Sequence, residues 1–148
     1  MAVTERTASV TLEGDMRVAT ASVHGNGRSY GELPSSLVER LDADNGKASP
    51  EELIASAYAA DYAMTLASAL SANGTQPERL DVSARCVLDR TMDGLAISRL
   101  HLDVKGLVPR LEREAFEEMA RKAEEKCVIS SAMRGNVEFD LAAELLDS

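Results

Sequence analysis

The strongest local constraint on this chain is the helix start written by Ser49, Pro50, Glu51 and Glu52. Serine accepts hydrogen bonds from the free amides of a first turn, and proline is preset for the first helical position. Glu52 follows Ser49 by the spacing of a capping box. Behind it runs LIASAYAADYAMTLASAL, with no glycine or proline before Asn73 and Gly74, which supply a C-terminal stop. The spacing predicts one long helix from about Pro50 to about Ser71.

The flanking segments read as β structure. Ala8, Val10 and Leu12 alternate with polar neighbours, and Val18, Ala19, Ala21 and Val23 form a second, weaker run after a turn at Gly14 and Asp15. Beyond Pro77 come Leu80, Val82, Ala84, Cys86 and Leu88, then Leu95, Ile97, Leu100, Leu102 and Val104. The turn-like TMDG (Thr91 to Gly94) separates these two runs, and the alternation slips phase near Ser98. Pro109 leads into a second helix, Leu111 to about Lys126, with Phe116, Met119, Ala120 and Ala123 on one face. A last strand carries Val137, Phe139 and Leu141. Hairpins without crossover patterns make the class α+β, and a length of 148 residues without repeats or linkers suits one domain, 1–148.

Composition removes several functions. A net charge of −9 offers no basic face for nucleic acid or anionic lipid. No apolar run is expected to approach the roughly 20 residues of a membrane span, and the polar N-terminus lacks a signal-peptide pattern, so a cytoplasmic protein is expected. Two cysteines, Cys86 and Cys127, without CxxC, and two histidines, His24 and His101, form neither a disulfide framework nor a metal site. No motif suggests a cofactor. GNGRSYG (Gly25 to Gly31) has glycines but neither the spacing nor the strand–helix context of a nucleotide loop, and reads as a turn.

One residue breaks the pattern. At 100° per residue, Ile54, Ala57, Tyr58 and Met64 surround Asp61, placing a carboxylate on the most apolar face of the long helix. Left unpaired there it would cost several kcal/mol, so it is neutral, or meets a cation or hydrogen-bond donor. Either the face lines a wet groove or subunit contact and Asp61 is solvated, or the face carries a functional site. Cys127 extends the apolar stripe of the second helix, which by itself fits a small buried residue as well as a reactive thiol. Cys86, in phase with Val82, Ala84 and Leu88, reads as core.

Taken together, SPEELIASAYAADYAMTLASAL (Ser49 to Leu70) and KCVISSAMRGNVEFDL (Lys126 to Leu141) resemble the two signature regions of the OsmC/Ohr family of thiol-dependent organic hydroperoxide reductases. TLEGDMR (Thr11 to Arg17) and LDRTMDGLAISRLHLDV (Leu88 to Val104) extend the resemblance over nearly the whole chain. It implies antiparallel sheets packed on a long central helix plus a second helix, and an intertwined homodimer. Two interface sites lined by apolar side chains would admit fatty or aromatic hydroperoxides.

Residue by residue, the family's loop arginine falls on Arg40, allowing one inserted residue before Ser49, and the helix-opening glutamate that orients it falls on Glu51. The resolving cysteine falls on Cys127, followed by Val128 where the family often has proline. The peroxide-attacking cysteine falls on Asp61. In the intact site a guanidinium favours the thiolate, which opens the O–O bond and becomes a sulfenic acid; the second cysteine then condenses with it to a disulfide. A carboxylate has no sulfur to oxidise, so the resemblance implies that the ordinary cycle is impaired. It also suggests a charge-assisted Arg40–Asp61 pair for which Glu51 competes, so that one carboxyl takes up a proton near neutral pH.

Four functional readings follow: a hydroperoxide-reductase-type stress protein with an impaired cycle; a non-catalytic binder of a small apolar or lipid-like ligand in the same pocket, with Arg40 on its acidic head group; a one-cysteine activity through Cys127; and a structural dimer module. Asp61 weighs against an anionic ligand unless Arg40 dominates.

Overall fold

The computed structural model describes residues 1–13, 20–25, 33–36 and 48–147. The turn at Gly14 and Asp15, the GNGRSYG loop beyond Gly25, Arg40 and the polar run up to Lys47 lie outside the described residues. The chain groups into two compact units, Met1–Pro50 and Glu51–Ser148.

In the first unit, β1 (Ala8–Glu13), β2 (Thr20–Gly25) and β3 (Leu33–Ser36) form an antiparallel sheet in the order β1-β2-β3. The two predicted runs pair with Val10 opposite Val23 and Leu12 opposite Ala21. The short β3, which the sequence pattern did not announce, carries Pro34 on an edge strand, the place in a sheet where proline is tolerated.

α1 (Pro50–Ala72), with which the second unit begins at Glu51, ends one residue beyond the expected span. Gly74 adopts φ +79°, and Thr75 N–H reaches back to Leu70 C=O at 3.0 Å, closing the helix as a glycine stop does. By length and composition α1 is long and apolar enough to cross a membrane, contrary to the expectation that no such run exists; Glu51, Glu52 and Asp61 interrupt it. Its buried stripe is Glu51, Ala55, Tyr58, Tyr62, Leu66 and Leu70. This corrects the predicted face: Tyr58 is buried, but Ala57 is exposed and Met64 is 67% exposed, so Asp61 lies at the border of the core. A helix apolar almost all round leaves its buried side undetermined by periodicity alone.

β4 (Arg79–Thr91) and β5 (Gly94–Leu107) form the expected hairpin, turning at Met92 and Asp93. The register shifts so that Val87 faces Arg99 and Leu88 faces Ile97; Ser98 is the extra residue of a bulge, where the phase slip was read. α2 (Arg113–Lys126) begins two residues later than predicted because Arg110 takes φ +65° after Pro109 and Glu112 is extended. A six-residue helix, α3 (Val128–Met133), follows at once, broken from α2 by the extended backbone of Cys127. β6 (Glu138–Leu145) then pairs with β5 in parallel.

The sheet β4-β5-β6 is therefore mixed, where antiparallel sheets alone were expected. The chain leaves β5, passes through two helices and re-enters alongside in the same direction, and such a return can only be parallel. Leu100, Leu102 and Val104 of β5 are fully buried against Tyr58, Tyr62, Leu66 and Leu70 of α1 and Phe116, Ala123 and Cys127 of the α2 side, within one core. Gly106 belongs to this face for a steric reason: a Cβ there would lie 2.5 Å from the Phe116 ring.

Candidate functional site

The site forms where the middle of α1 meets the corner between α2 and α3. Asp61 Oδ2 accepts a hydrogen bond from the Cys127 thiol at 2.9 Å and another from the Val128 amide at 3.0 Å. The two predicted site residues, 66 positions apart, are thus in contact. The corner exists because Cys127 ends α2 with extended backbone, which frees the Val128 amide to point at the carboxylate rather than into a continuing helix. Among the described residues the acidic group at the core border meets two hydrogen-bond donors, and Arg40 lies outside that set.

Cys127 is fully buried. Burial pushes its thiol pKa up, and the hydrogen bond and negative charge of Asp61 push the same way; the Ser130 and Ile129 amides pull it down less. Glu51, the fourth predicted site residue, is buried at the start of α1. Its charge, second to burial, raises the thiol pKa of Cys86, which is half-buried in β4.

A second polar cluster stands behind the corner. Tyr58 donates to Glu124 Oε1 at 3.2 Å, and an Arg134 nitrogen lies 3.5 Å from the same oxygen. Arg134 also lies over the Phe139 ring, 5.6 Å from its centroid, and donates to Ser130 Oγ at 3.3 Å. Ser130 in turn donates to the Glu124 and Cys127 carbonyls, tying the cluster to the backbone that carries the thiol. Tyr62 donates to the Ala120 carbonyl at 2.9 Å. Both phenols are driven far above their ordinary pKa, first by burial and next by the Glu124 charge, so they remain neutral donors. Sequence reading missed Glu124, whose only signal was one charge on a surface rich in charge, and it had no access to the Val128 amide.

Two cavities flank this arrangement. One of about 600 Å³ is lined by Glu117, Arg121, Glu124, Arg134, Phe139 and Leu141 among others. The other, about 780 Å³, runs between α1 and α2 with Met64, Thr65, Ala69, Met119, Lys122 and Lys126 in its walls. Neither is lined by Asp61 or Cys127. His101 and Cys86 take no part in the Asp61 contact; His101 lies on the far face of the sheet, and the described residues hold no group of three potential metal ligands.

Fold and site together define an α+β protein in which a central helix presents residue 61 to a buried cysteine at the end of a second helix. The family model for OsmC-like proteins matches residues 43–142, and the chain belongs to that family. It is 28% identical to peroxiredoxin OsmC of Escherichia coli (strain K12) over 128 residues, 86% of this chain and 89% of the relative. Among solved structures, the organic hydroperoxide resistance protein OhrB of Bacillus subtilis superimposes with a TM-score of 0.72 at 24% identity, over 93% of this chain and 97% of its own. An organic hydroperoxide resistance protein of Vibrio cholerae, with captopril bound in one of its active sites, gives 0.71 at 20% identity, over 98% and 93%. These structural likenesses establish the fold.

Proposed function

We propose that this chain is an oxidative-stress protein of the organic hydroperoxide reductase type whose two-thiol cycle is disarmed at position 61, acting in the cytoplasm as a homodimer. The observation that carries the reading is the 2.9 Å contact between Asp61 Oδ2 and Cys127 Sγ. It supports the placement of residue 61 where a sulfur, oxidised by a hydroperoxide to a sulfenic acid with release of an alcohol, would meet a second thiol and lose water to form a disulfide. With a carboxylate there, no sulfur accepts the oxygen. By the family resemblance, Arg40 is assigned as the cation that would have favoured the thiolate and Glu51 as the carboxylate that would orient it. The exposed Ala57, Ala60 and Met64 beside Asp61 support a subunit contact along α1.

A second reading, a binding protein for a small apolar or lipid-like molecule, is favoured by the ligand held in the Vibrio cholerae relative. Comparing the parent with Asp61→Cys, in an assay of organic hydroperoxide consumption with a dithiol reductant, separates the two. Turnover by the variant alone supports a site disarmed by one residue. Absence of turnover in both, with folding and dimerisation intact, favours the binding protein.

A further inference from the structure

Both cysteines of the chain are free thiols. Cys127 is the more enclosed, and its only described side-chain partner is Asp61, itself fixed by the Val128 amide from a second direction. Ionising this thiol would delete the S–H···O bond and set a second negative charge against the carboxylate. Among the described residues the other groups around it do not reverse this balance: the Ser130 and Ile129 amides pull the thiol pKa down, but by less than burial and Asp61 raise it. From α1 it faces the phenols of Tyr58 and Tyr62, which stay neutral. From α2, Glu124 is acidic and engaged with Tyr58 and Arg134, and the neighbouring Lys126 is exposed. From α3, Ser130 spends its hydroxyl hydrogen on the Glu124 and Cys127 carbonyls. A thiolate site places a cation against the sulfur; among the described residues the side chain against it is a carboxylate.

We infer that Asp61 is a thiol guard, a positioning residue that keeps Cys127 as a protonated hydrogen-bond donor and so makes the remaining sulfur of the site unreactive toward peroxides. The inference deepens the reading above and rests on it for placing residue 61 at the attacking position. It also replaces a passive view of the substitution: Asp61 removes one sulfur from the cycle and silences the other.

The test follows the ¹³Cβ shift of labelled Cys127, in an otherwise native Cys86→Ser protein, from about pH 6 to about pH 11, a readout that needs no reagent to enter the core. In the parent, Cys127 is expected to titrate above the ordinary thiol value of 9.0. In Asp61→Asn, which keeps the size and an acceptor but removes the charge, the midpoint is expected to fall, raising the thiolate fraction near neutral pH. A parent midpoint at or below 9.0, or an identical midpoint in Asp61→Asn, overturns the guard; should Asp61→Asn not fold, the same comparison is made with Asp61→Ser. The midpoint does not depend on whether Asp61→Cys turns over, so an inactive revertant with a shifted midpoint would sink the hydroperoxide reading and leave the guard standing.

Discussion

The Asp61–Cys127 and Asp140–His101 contacts both set a carboxylate against a titratable partner, and they obey different physics. At the core border, Asp61 meets the buried Cys127 thiol. On the outer face of the sheet, His101 Nδ1 contacts Asp140 and its Nε2 lies 3.2 Å from Asp103, with Arg99 bridging to Glu138 at 2.9 Å. Both partners are raised in pKa, Cys127 chiefly by burial and then Asp61, His101 chiefly by its hydrogen bond to Asp140. For the thiol, the shift preserves a neutral form in a dry place. For the imidazole, it preserves a cation in a wet one. The difference traces to β5, whose alternating residues send Leu100, Leu102 and Val104 into the core and Arg99, His101 and Asp103 outward.

The comparison breaks most visibly if neighbouring residues on the two faces of β5 cost the same to remove. Leu102→Ala is expected to lose about 2–5 kcal/mol in denaturant unfolding, because it strips contacts from a closed core. Asp103→Ala, its neighbour on the outer face, should lose less than about 1 kcal/mol, the range of an exposed ion pair. Comparable losses would mean that the outer cluster carries more of the fold than its exposure allows.

A smaller effect of opposite origin tests the dry face by filling it. Gly106→Ala puts a methyl group 2.5 Å from the Phe116 ring, so the ring and α2 must shift. A loss of about 1–3 kcal/mol is expected, the usual cost of overpacking. A neutral result in thermal unfolding would show that the α2 packing is looser than drawn. Tyr62→Phe is smaller again, about 1 kcal/mol, since it removes one buried hydrogen bond to a carbonyl already within a helix.

Much of this architecture was legible because it rests on local signals. Ser49, Pro50 and Glu52 place the start of α1, Gly74 ends it, TMDG turns the hairpin, and Ser98 marks the bulge. What was not legible depends on tertiary choice. The stripe Tyr58, Tyr62, Leu66 and Leu70 competes with another face equally apolar, and only the sheet decides between them. The parallel entry of β6 depends on how far α2 and α3 carry the chain, and α3 is too short to show a period. At the site, the identity of Asp61 and Cys127 came from family resemblance, and their contact came from the fold. The Val128 amide has no residue-specific signature to read.

The smallest expected effect discriminates best between the two carboxylate sites. Because the pKa of His101 is raised on folding, its contribution to stability is fully present below the unfolded value near 6.5 and is lost as pH rises through the higher folded value. Cys127 follows the same sign at higher pH: its folded form retains a proton that the unfolded chain releases above about 9.0, so stability falls there too. Salt separates them. Asp140 and Asp103 are about half exposed, at 51% and 54%, so ionic strength near 1 M, with a Debye length of about 3 Å, should return the His101 midpoint toward 6.5. The Cys127 midpoint, raised chiefly by burial, should move less. Parallel NMR titrations of the imidazole and the labelled cysteine at low and high salt measure both in one protein. A Cys127 midpoint that moves with salt as far as that of His101 would mean the thiol communicates with solvent, and the dry side of the comparison would fail.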